Sequence, residues 1–192
     1  GRLASTGPDG RPRLAGILHR AADHAASVGV RLAIEPLNRY EADLINTAAE
    51  GLALIDSIGH AALGLLLDTF HVKIEEASWE TPVRLLQQAG KLWHIHLGDN
   101  NRLPPGEGMI DFGALVDTLR AVGYDGVLSA ELLARPDHRA DAVQKLGQVA
   151  ACLALNEDGN DKILQIGAGY PGGEIGQRFL HREAVVHFIK SD

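Results

Sequence analysis

A side chain able to bind a metal stands at the end of each of four short apolar segments. The segments are residues 31–35, 63–68, 92–96 and 126–131, and they end in Glu35, Asp68, His96 and Glu131. Carboxylates that are buried together repel one another and lose their hydration, and a divalent cation removes both costs. Three carboxylates and one imidazole form a hard, oxygen-rich set. Such a set favours Mn²⁺, Mg²⁺ or Co²⁺ over a structural zinc, which thiolates typically hold.

The four apolar segments alternate with stretches of helical periodicity. Nearly continuous apolar runs are typical of parallel strands covered by helices. Alternating strands and helices therefore predict an α/β fold with right-handed crossovers. In a (β/α) barrel the carboxyl ends of the strands meet on one face, where active sites lie. Neighbouring strands are about 4.8 Å apart, so four successive strand ends could surround one cation.

Several helix boundaries can be predicted from the chain. Thr47 and Glu50 have the spacing of a capping box, and Gly59 can end that helix. Asp111 is a predicted N-cap for a helix that Gly123 ends. A further helix is expected from about residue 78 to residue 90. Residues 1–13 are expected to form a loop, and the helix after them has an apolar stripe formed by Leu14, Ile17, Leu18, Ala21, Ala25 and Val28.

The segment LWHIHLGDNNR (92–102) places two histidines on the same face of one strand. Side chains alternate along a strand, so Leu92, His94 and His96 share a face. On position alone, either histidine could be a metal ligand or a packed hydrogen-bond donor.

The composition is that of an ordinary globular protein. The chain has 192 residues, of which 45% are hydrophobic and 22% charged, enough for a sizeable core. A net charge of −7 without a basic cluster argues against a nucleic-acid partner. The single cysteine, Cys152, cannot form an internal disulfide and fits a reducing compartment. No apolar run approaches the roughly 20 residues that span a bilayer, so we expect a cytoplasmic protein with no membrane partner.

Four longer segments resemble a known family. They are IEPLNRYEADLINT (34–47), LLLDTFHVKIEE (65–76), HIHLGDNNRLPPGEGMIDF (94–112) and GYDGVLSAELL (123–133). In letters and in mutual spacing they resemble the sugar isomerase/epimerase superfamily of xylose-isomerase-like barrels, and most of all its D-tagatose and D-psicose 3-epimerase group. The resemblance covers roughly residues 1–150. It implies a (β/α)₈ barrel fold, a divalent metal that is commonly Mn²⁺, and a small sugar substrate.

The resemblance also implies roles for individual residues. Glu35 and Glu131 become the catalytic acid/base pair, and His94 is then expected to be a buried histidine satisfied by a neighbour. The implied metal ligands are Glu35, Asp68, His96 and Glu131. The implied contacts with the hydroxyl and carbonyl groups of the substrate are Glu41, His71 and Arg102. Two alternatives stay open: Arg102 could be a solvated turn residue, and Glu41 could cap the following helix.

The implied reaction is the epimerisation of a ketose at C3 through a metal-stabilised enediolate. One carboxylate removes the proton beside the carbonyl, and the other returns a proton to the opposite face. Within the superfamily the alternatives are a hydroxypyruvate isomerase, an inosose dehydratase or an aldose–ketose isomerase. An alternative of another class is an inactive fragment that needs its missing N-terminal half.

Residues 1–155 are predicted to form only part of a barrel. A complete barrel needs eight strands and about 250 residues, whereas four βα units are predicted here, and we expect them to be the last four. Such a half would expose two sheet edges and an apolar inner face. We therefore expect a homo-oligomer, or a partner that supplies the missing barrel half.

Residues 156–192 are predicted to form a second, short unit. After a polar stretch, a strand at 163–166 leads to a glycine-rich turn, a helix and a second strand at about 184–189. This order resembles the start of a Rossmann-like dinucleotide-binding fold. The candidate contacts are Gly167, Gly169, Gly172 and Asp192. Only one βαβ edge is present, so we expect no useful NAD(P) affinity, and we expect the unit to pack separately from the barrel strands.

Overall fold

The computed structural model of the chain describes residues 9–132, 164–165 and 183–186. Helices and strands alternate within these ranges, as the sequence predicts. The helices are α1 (Gly10–Ser27), α2 (Ala48–Ile58), α3 (Thr69–Glu75), α4 (Glu80–Gln88) and α5 (Phe112–Ala121). The strands are β1 (Arg31–Ile34), β2 (Leu63–Asp68), β3 (Leu92–Leu97), β4 (Val127–Ala130), β5 (Leu164–Gln165) and β6 (Glu183–Val186).

The strands form one parallel sheet in the order β5-β4-β3-β2-β1-β6. The four predicted strands, β1 to β4, lie side by side in chain order, which confirms the predicted α/β architecture. Their register places Asp68 opposite His96. Because all strands run the same way, their carboxyl ends meet at one edge of the sheet, and this edge carries the candidate site.

The hydrophobic core lies between the sheet and the helices that cover it. Every residue of β2 and β3 is buried, as expected for central strands of a covered parallel sheet. Each helix contributes a narrow apolar stripe, which includes Leu18 and Ala22 of α1, Leu54 and Ile55 of α2, Val83 and Leu86 of α4, and Leu115 and Leu119 of α5. Within the described part of the chain, no helix has both the length and the apolar character needed to cross a membrane.

The predicted helix boundaries at residues 47, 59 and 111 are confirmed. Thr47 and Glu50 form the capping box, in which Thr47 Oγ1 accepts from the Glu50 backbone N–H at 3.2 Å. Gly59 ends α2 in the left-handed region, with φ 69°. Asp111 caps α5 by accepting a hydrogen bond from the Ala114 backbone N–H at 3.0 Å.

The first helix differs from its prediction. It begins at Gly10, so the end of the expected loop is helical. Its buried stripe is Leu18, Ala22 and Ala25, whereas Ile17 and Val28 are 46% and 60% exposed; Ala21 is also exposed. The stripe is narrower than predicted because small alanines face the core.

The short helix α3 was not predicted. It follows β2 directly, and Asp68 accepts a hydrogen bond from the Phe70 backbone N–H at its start.

The tail strands pair with the barrel strands. β6 pairs with β1 over four residues, and β5 pairs with β4 over two. The expectation that residues 162–192 pack separately is therefore wrong, and among the described strands the two outer edges of the sheet are formed by β5 and β6 rather than by β4 and β1. The physical reason is that the outer backbone groups of β1 and β4 need partners, and extended segments of the same chain supply them. The glycine-rich turn lies outside the described residues, and the two-domain division stays a prediction.

A first prediction concerns Gly64 in β2. A Cβ atom at this position would collide with the ring of Trp93, which Arg31 covers at 4.4 Å and which a hydrogen bond to Gly90 O holds. We expect Gly64→Ala to destabilise the protein by about 1–3 kcal/mol, the usual range for overpacking. Gly16→Ala in α1 is the matched control, because its Cβ would meet only Arg20 Nη1 at 3.8 Å. That control should gain roughly 0.5–1 kcal/mol from helix propensity. Urea unfolding measures the change in the free energy of unfolding for both variants. Equal changes would contradict the close packing of Gly64 against the Trp93 ring.

A second prediction concerns the tail strands. Removing residues 156–192 should leave the outer backbone groups of β1 and β4 without their partners. Hydrogen exchange should then accelerate in peptides that cover 31–34 and 127–130, while β2 and β3 keep their protection. Self-association, followed by sedimentation, should increase because unpaired edges recruit other strands. Unchanged exchange at both edge strands would show that the tail does not pair with them.

Candidate metal centre

Four side chains from four successive strand ends converge on one point. Four possible ligand atoms all lie within 4.8 Å of one another, one each from Glu35, Asp68, His96 and Glu131. Glu35 and Glu131 directly follow β1 and β4, Asp68 ends β2, and His96 lies in β3. Three of the four are buried and Glu131 is half-buried. The convergence that the sequence predicts is therefore present, and the parallel register produces it.

The shortest contact within the cluster involves the imidazole. His96 Nδ1 lies 3.0 Å from Glu131 Oε2 and 3.8 Å from Glu35 Oε1. Two carboxylates thus face the same ring nitrogen. The set is rich in hard oxygens and contains one imidazole nitrogen, and this chemistry fits Mn²⁺, Mg²⁺ or Co²⁺.

The pKa of Asp68 shows that positive charge from the protein offsets only part of the cost of burying the cluster. Burial raises the pKa of its carboxyl well above the ordinary value, and the nearby charges of Glu35 and Glu131 raise it further. Arg102 and the backbone N–H of Phe70 lower the pKa, but they do not offset the burial. A divalent cation beside these carboxylates would favour their ionised forms. The residues present therefore fit a bound divalent metal.

Arg102 belongs to the same cluster. Its Nη1 lies 2.7 Å from Asp68 Oδ2 and 3.5 Å from Glu131 Oε2, and its guanidinium lies over the Phe70 ring at 4.3 Å. The backbone of Arg102 has φ 62°, an uncommon conformation for a residue with a side chain. The alternative of a solvated turn residue is therefore wrong. A direct contact between Arg102 and a substrate stays a prediction.

His71 and Glu41 are linked through an asparagine that the sequence reasoning did not select. Asn38 Nδ2 lies 2.9 Å from Glu41 Oε1 and 2.8 Å from His71 Nδ1. His71 is buried, whereas Glu41 is exposed. Glu41 does not cap the next helix, because Thr47 does. Asn38 follows a proline near a strand end, and this turn-type position was the signal that could have found it.

Asp99 organises the loop beyond β3, and the sequence reasoning missed it as well. Its side chain is fully buried and accepts hydrogen bonds from four backbone N–H groups, at 2.8–3.1 Å, of Asn100, Gly106, Gly108 and Ile110. A Cβ atom at Gly108 would collide with this carboxylate. The backbone carbonyl of Asp99 also accepts from the Arg102 N–H at 2.8 Å. The loop after β3 is thus built around one buried carboxylate.

The remaining predicted residues fall in two groups. His94 is buried and its Nε2 lies 2.7 Å from Ser129 Oγ, which confirms a histidine satisfied by a neighbour. The candidate dinucleotide contacts lie outside the described residues and are Gly167, Gly169, Gly172 and Asp192.

The chain belongs to the xylose isomerase-like TIM barrel family, which it matches over residues 1–152. It is 46% identical over 114 residues to an L-ribulose 3-epimerase of Mesorhizobium japonicum, which covers 59% of this chain and 38% of that protein. It is 33% identical over 139 residues to a ketose 3-epimerase of Arthrobacter globiformis, which covers 72% of this chain and 47% of that protein. The chain thus spans less than half the length of these relatives.

Solved structures agree with this assignment. A 3-keto-D-glucoside 4-epimerase of Escherichia coli, YcjR, superposes with a TM-score of 0.68 at 31% identity, over 74% of this chain and 54% of that one. An L-ribulose 3-epimerase superposes with a TM-score of 0.63 at 39% identity, over 73% of this chain and 47% of that one. The resemblance drawn from the sequence motifs is confirmed, and so is the barrel fold class.

A third prediction concerns metal binding by Asp68. Saturating Mn²⁺ should stabilise the parent chain, by about 2.7 kcal/mol at a hundredfold excess over Kd. Asp68→Asn should lose this gain, because an amide is a poorer ligand for a hard cation than a carboxylate. Thermal unfolding with Mn²⁺ and with EDTA measures the difference. Asp117→Asn on α5 is the matched control, since this exposed carboxylate lies 3.7 Å from Arg120 and is not one of the four clustered residues.

The same variant tests the charge balance without metal. Asp68 has a raised pKa in the folded chain, so the folded state keeps its proton at pH values where the unfolded chain has lost it. The stability of the EDTA-treated parent should therefore fall as pH rises from the ordinary aspartate value through the raised pKa. Asp68→Asn should lack this part of the fall. In the metal titration described above, a stabilisation by Mn²⁺ that survives in Asp68→Asn would contradict the assignment of Asp68 as a metal ligand.

Proposed function

We propose that this chain carries the metal-binding and proton-transfer half of a metal-dependent ketose 3-epimerase. The observation that carries the proposal is the convergence of Glu35, Asp68, His96 and Glu131 from four neighbouring strand ends. The names of the relatives support it, since several are 3-epimerases of ketoses. The four side chains would hold the cation, with Mn²⁺ favoured and Mg²⁺ or Co²⁺ as alternatives. A cation held there would supply Lewis-acid stabilisation of negative charge that develops on the substrate.

The two catalytic carboxylates are proposed to be Glu35 and Glu131. They follow β1 and β4, which are separated in the sheet by β2 and β3. They therefore reach the cluster from opposite sides, with Asp68 and His96 between them. A sugar carbon above the cluster could meet one carboxylate on each face. One carboxylate would remove the C3 proton and the other would return a proton to the opposite face, which inverts the carbon.

Three further side chains are proposed to position the sugar. Arg102 and His71 present nitrogen atoms 3.2 Å apart beside the cluster. Glu41 is connected to His71 through Asn38. Charged and polar groups fixed in this way lower the entropic part of the barrier by orienting the sugar oxygens over the proton-transfer pair.

The activity is proposed for a completed barrel. The chain spans less than half the length of its 3-epimerase relatives, and sugar contacts from the other half of a barrel would be needed beside those described here. The candidate partner is an N-terminal barrel half, and a second copy of the chain is the alternative. An inactive fragment remains the competing interpretation.

A second candidate function is a 4-epimerase of a 3-keto sugar. The specific support is the superposition on the 3-keto-D-glucoside 4-epimerase with a TM-score of 0.68 at 31% identity. The chemistry is closely related, since a proton beside a ketone is removed from one face and returned to the other. A panel containing ketoses and 3-keto glycosides would separate the two functions.

A fourth prediction tests the acid/base pair. In a chimera in which the N-terminal half of a 3-epimerase relative precedes this chain, Glu131→Gln should abolish exchange of the ketose C3 proton with solvent deuterium. The amide keeps the shape and an oxygen atom, but it cannot act as a base near neutral pH. Proton NMR of the sugar in D₂O measures the exchange. The loss should be at least a hundredfold, the lower range for general acid–base catalysis, roughly 10²–10⁴-fold.

Glu80→Gln is the matched control for this experiment. Glu80 is an exposed glutamate at the start of α4 that pairs with Arg84 at 2.7 Å and is not one of the four clustered residues. The Glu80→Gln chimera should exchange the C3 proton of the ketose with solvent deuterium at the parental rate. Parental exchange in Glu131→Gln would contradict the role of Glu131, and absence of exchange in the parent chimera on every sugar of the panel would contradict the proposed function.

A further inference from the structure

The hydroxyl of Thr69 connects β2 with β3 beyond the last backbone pair of the two strands. That pair is Asp68 and His96, and both are candidate metal ligands. The chain then enters α3 at Thr69, whereas β3 runs on to Leu97 and Gly98 follows it. Gly98 is buried, so its backbone N–H and C=O need partners that the backbone of β2 does not provide.

Thr69 satisfies both backbone groups of Gly98 with one atom. Thr69 Oγ1 donates to Gly98 O at 2.6 Å and accepts from the Gly98 N–H at 2.9 Å. A hydroxyl group can donate and accept at the same time. Thr69 is itself buried, so solvent has little access to either bond.

Gly98 in turn packs against the end of β4, where Glu131 lies. The Glu131 N–H donates to Leu97 O at 3.2 Å. A Cβ atom on residue 98 would stand 2.8 Å from Glu131 O, closer than side-chain carbons come to a backbone oxygen. A shift of Gly98 would therefore be transmitted to the backbone of Glu131. These contacts form a continuous path from the residue after Asp68 to the candidate ligand that follows β4.

We propose that Thr69 is a positioning residue for the metal centre. Its hydroxyl fixes the end of β3 against β2, and through Gly98 it sets the separation of the Asp68 and Glu131 carboxylates. Oxygen and imidazole ligands bind divalent metals within a narrow range, about 2.0–2.6 Å, so displacement of one strand end weakens binding by the whole set. The cation rests on the proposed function, whereas the hydrogen bonds between Thr69 and Gly98 do not.

A purely structural role for Thr69 has a different signature. Loss of its hydroxyl would then lower the free energy of unfolding equally with and without metal, and the Kd of the folded chain for Mn²⁺ would stay the same. A positioning role changes that Kd. A metal titration of the folded chain therefore separates the two roles, whatever happens to its stability.

A fifth prediction compares Thr69→Val with Thr69→Ser. Valine has nearly the shape of threonine without the hydroxyl, and serine keeps the hydroxyl without the methyl group. We expect Thr69→Val to raise the Kd for Mn²⁺ about tenfold, the lower end of the usual effect of groups behind metal ligands. Thr69→Ser should keep most of the parental affinity. Electron paramagnetic resonance of free Mn²⁺ measures the Kd in the 192-residue chain.

Thr118→Val on α5 is the matched control for this titration. It also removes one hydroxyl, which donates to Ala114 O of the same helix at 2.8 Å, and it should leave the Kd unchanged. A parental Kd in folded Thr69→Val would overturn the proposal. Equal losses of affinity in Thr69→Val and Thr69→Ser would also overturn it, because the hydroxyl would then have no special part.

Exchange of the Gly98 amide proton tests the path without metal. In the EDTA-treated parent and in Thr69→Ser this amide should be protected, and in Thr69→Val it should exchange faster. Hydrogen exchange followed by NMR measures the difference. A Gly98 amide without protection in the parent would overturn the proposal before any variant is made. If Thr69→Val does not fold, Thr69→Ala removes the same hydroxyl and takes its place in both measurements.

The outcomes separate this proposal from the proposed function. A parent chain that binds no Mn²⁺ would contradict the metal centre, and the positioning role with it. An inactive barrel-completed chimera with the expected dependence of the Kd on Thr69 would remove the function and leave the positioning role. An active chimera with the same Kd in the parent and in Thr69→Val would do the reverse.

Discussion

The mutual repulsion of three carboxylates at one edge of the sheet is the constraint on which the rest of the site depends. Glu35, Asp68 and Glu131 bring their oxygens within 4.8 Å of one another and of His96. Burial raises the pKa of Asp68, and Arg102 only partly offsets this. A divalent cation would relieve this repulsion, and in the proposed function the same cluster would hold sugar oxygens beside two carboxylates. Under that proposal, the site trades stability of the metal-free chain for chemistry.

The parallel sheet provides the geometry that this cluster needs. Four strands in chain order present four side chains at intervals of one strand spacing, and buried β2 and β3 fix the two central ligands. The loops after the strands then arrange the surrounding groups around buried polar side chains. Asp99 gathers four backbone N–H groups beyond β3, and Asn38 connects two side chains beyond β1. Hydrogen bonds to buried side chains thus position both loops, beside the apolar contacts that Ile45 and Ile110 make with the core.

The convergence of the four candidate ligands could be predicted from the sequence because each lies at or near the carboxyl end of an apolar strand, and the carboxyl ends of neighbouring parallel strands lie close together. Helix boundaries at Thr47 and Asp111 were equally accessible, since capping is a local interaction. Asn38 and Asp99 were missed because their partners are far away in the chain or are backbone groups, which leave no pattern of residue types. The tail was misjudged for a related reason. Its glycines suggested a separate unit, whereas its strands pair with β1 and β4 through backbone bonds that any extended segment can make.

The most direct test of the central claim is pulsed electron paramagnetic resonance of the Mn²⁺-loaded chain, which detects nitrogen atoms bound to the metal. The structure predicts one coordinated imidazole nitrogen, from His96. The nitrogen signal should vanish in His96→Gln and persist in His94→Gln, because His94 contacts Ser129 of the neighbouring strand β4 and is not one of the four clustered residues. Absence of any nitrogen coupling in the parent, or its persistence in His96→Gln, would contradict a metal centre formed by the four strand ends.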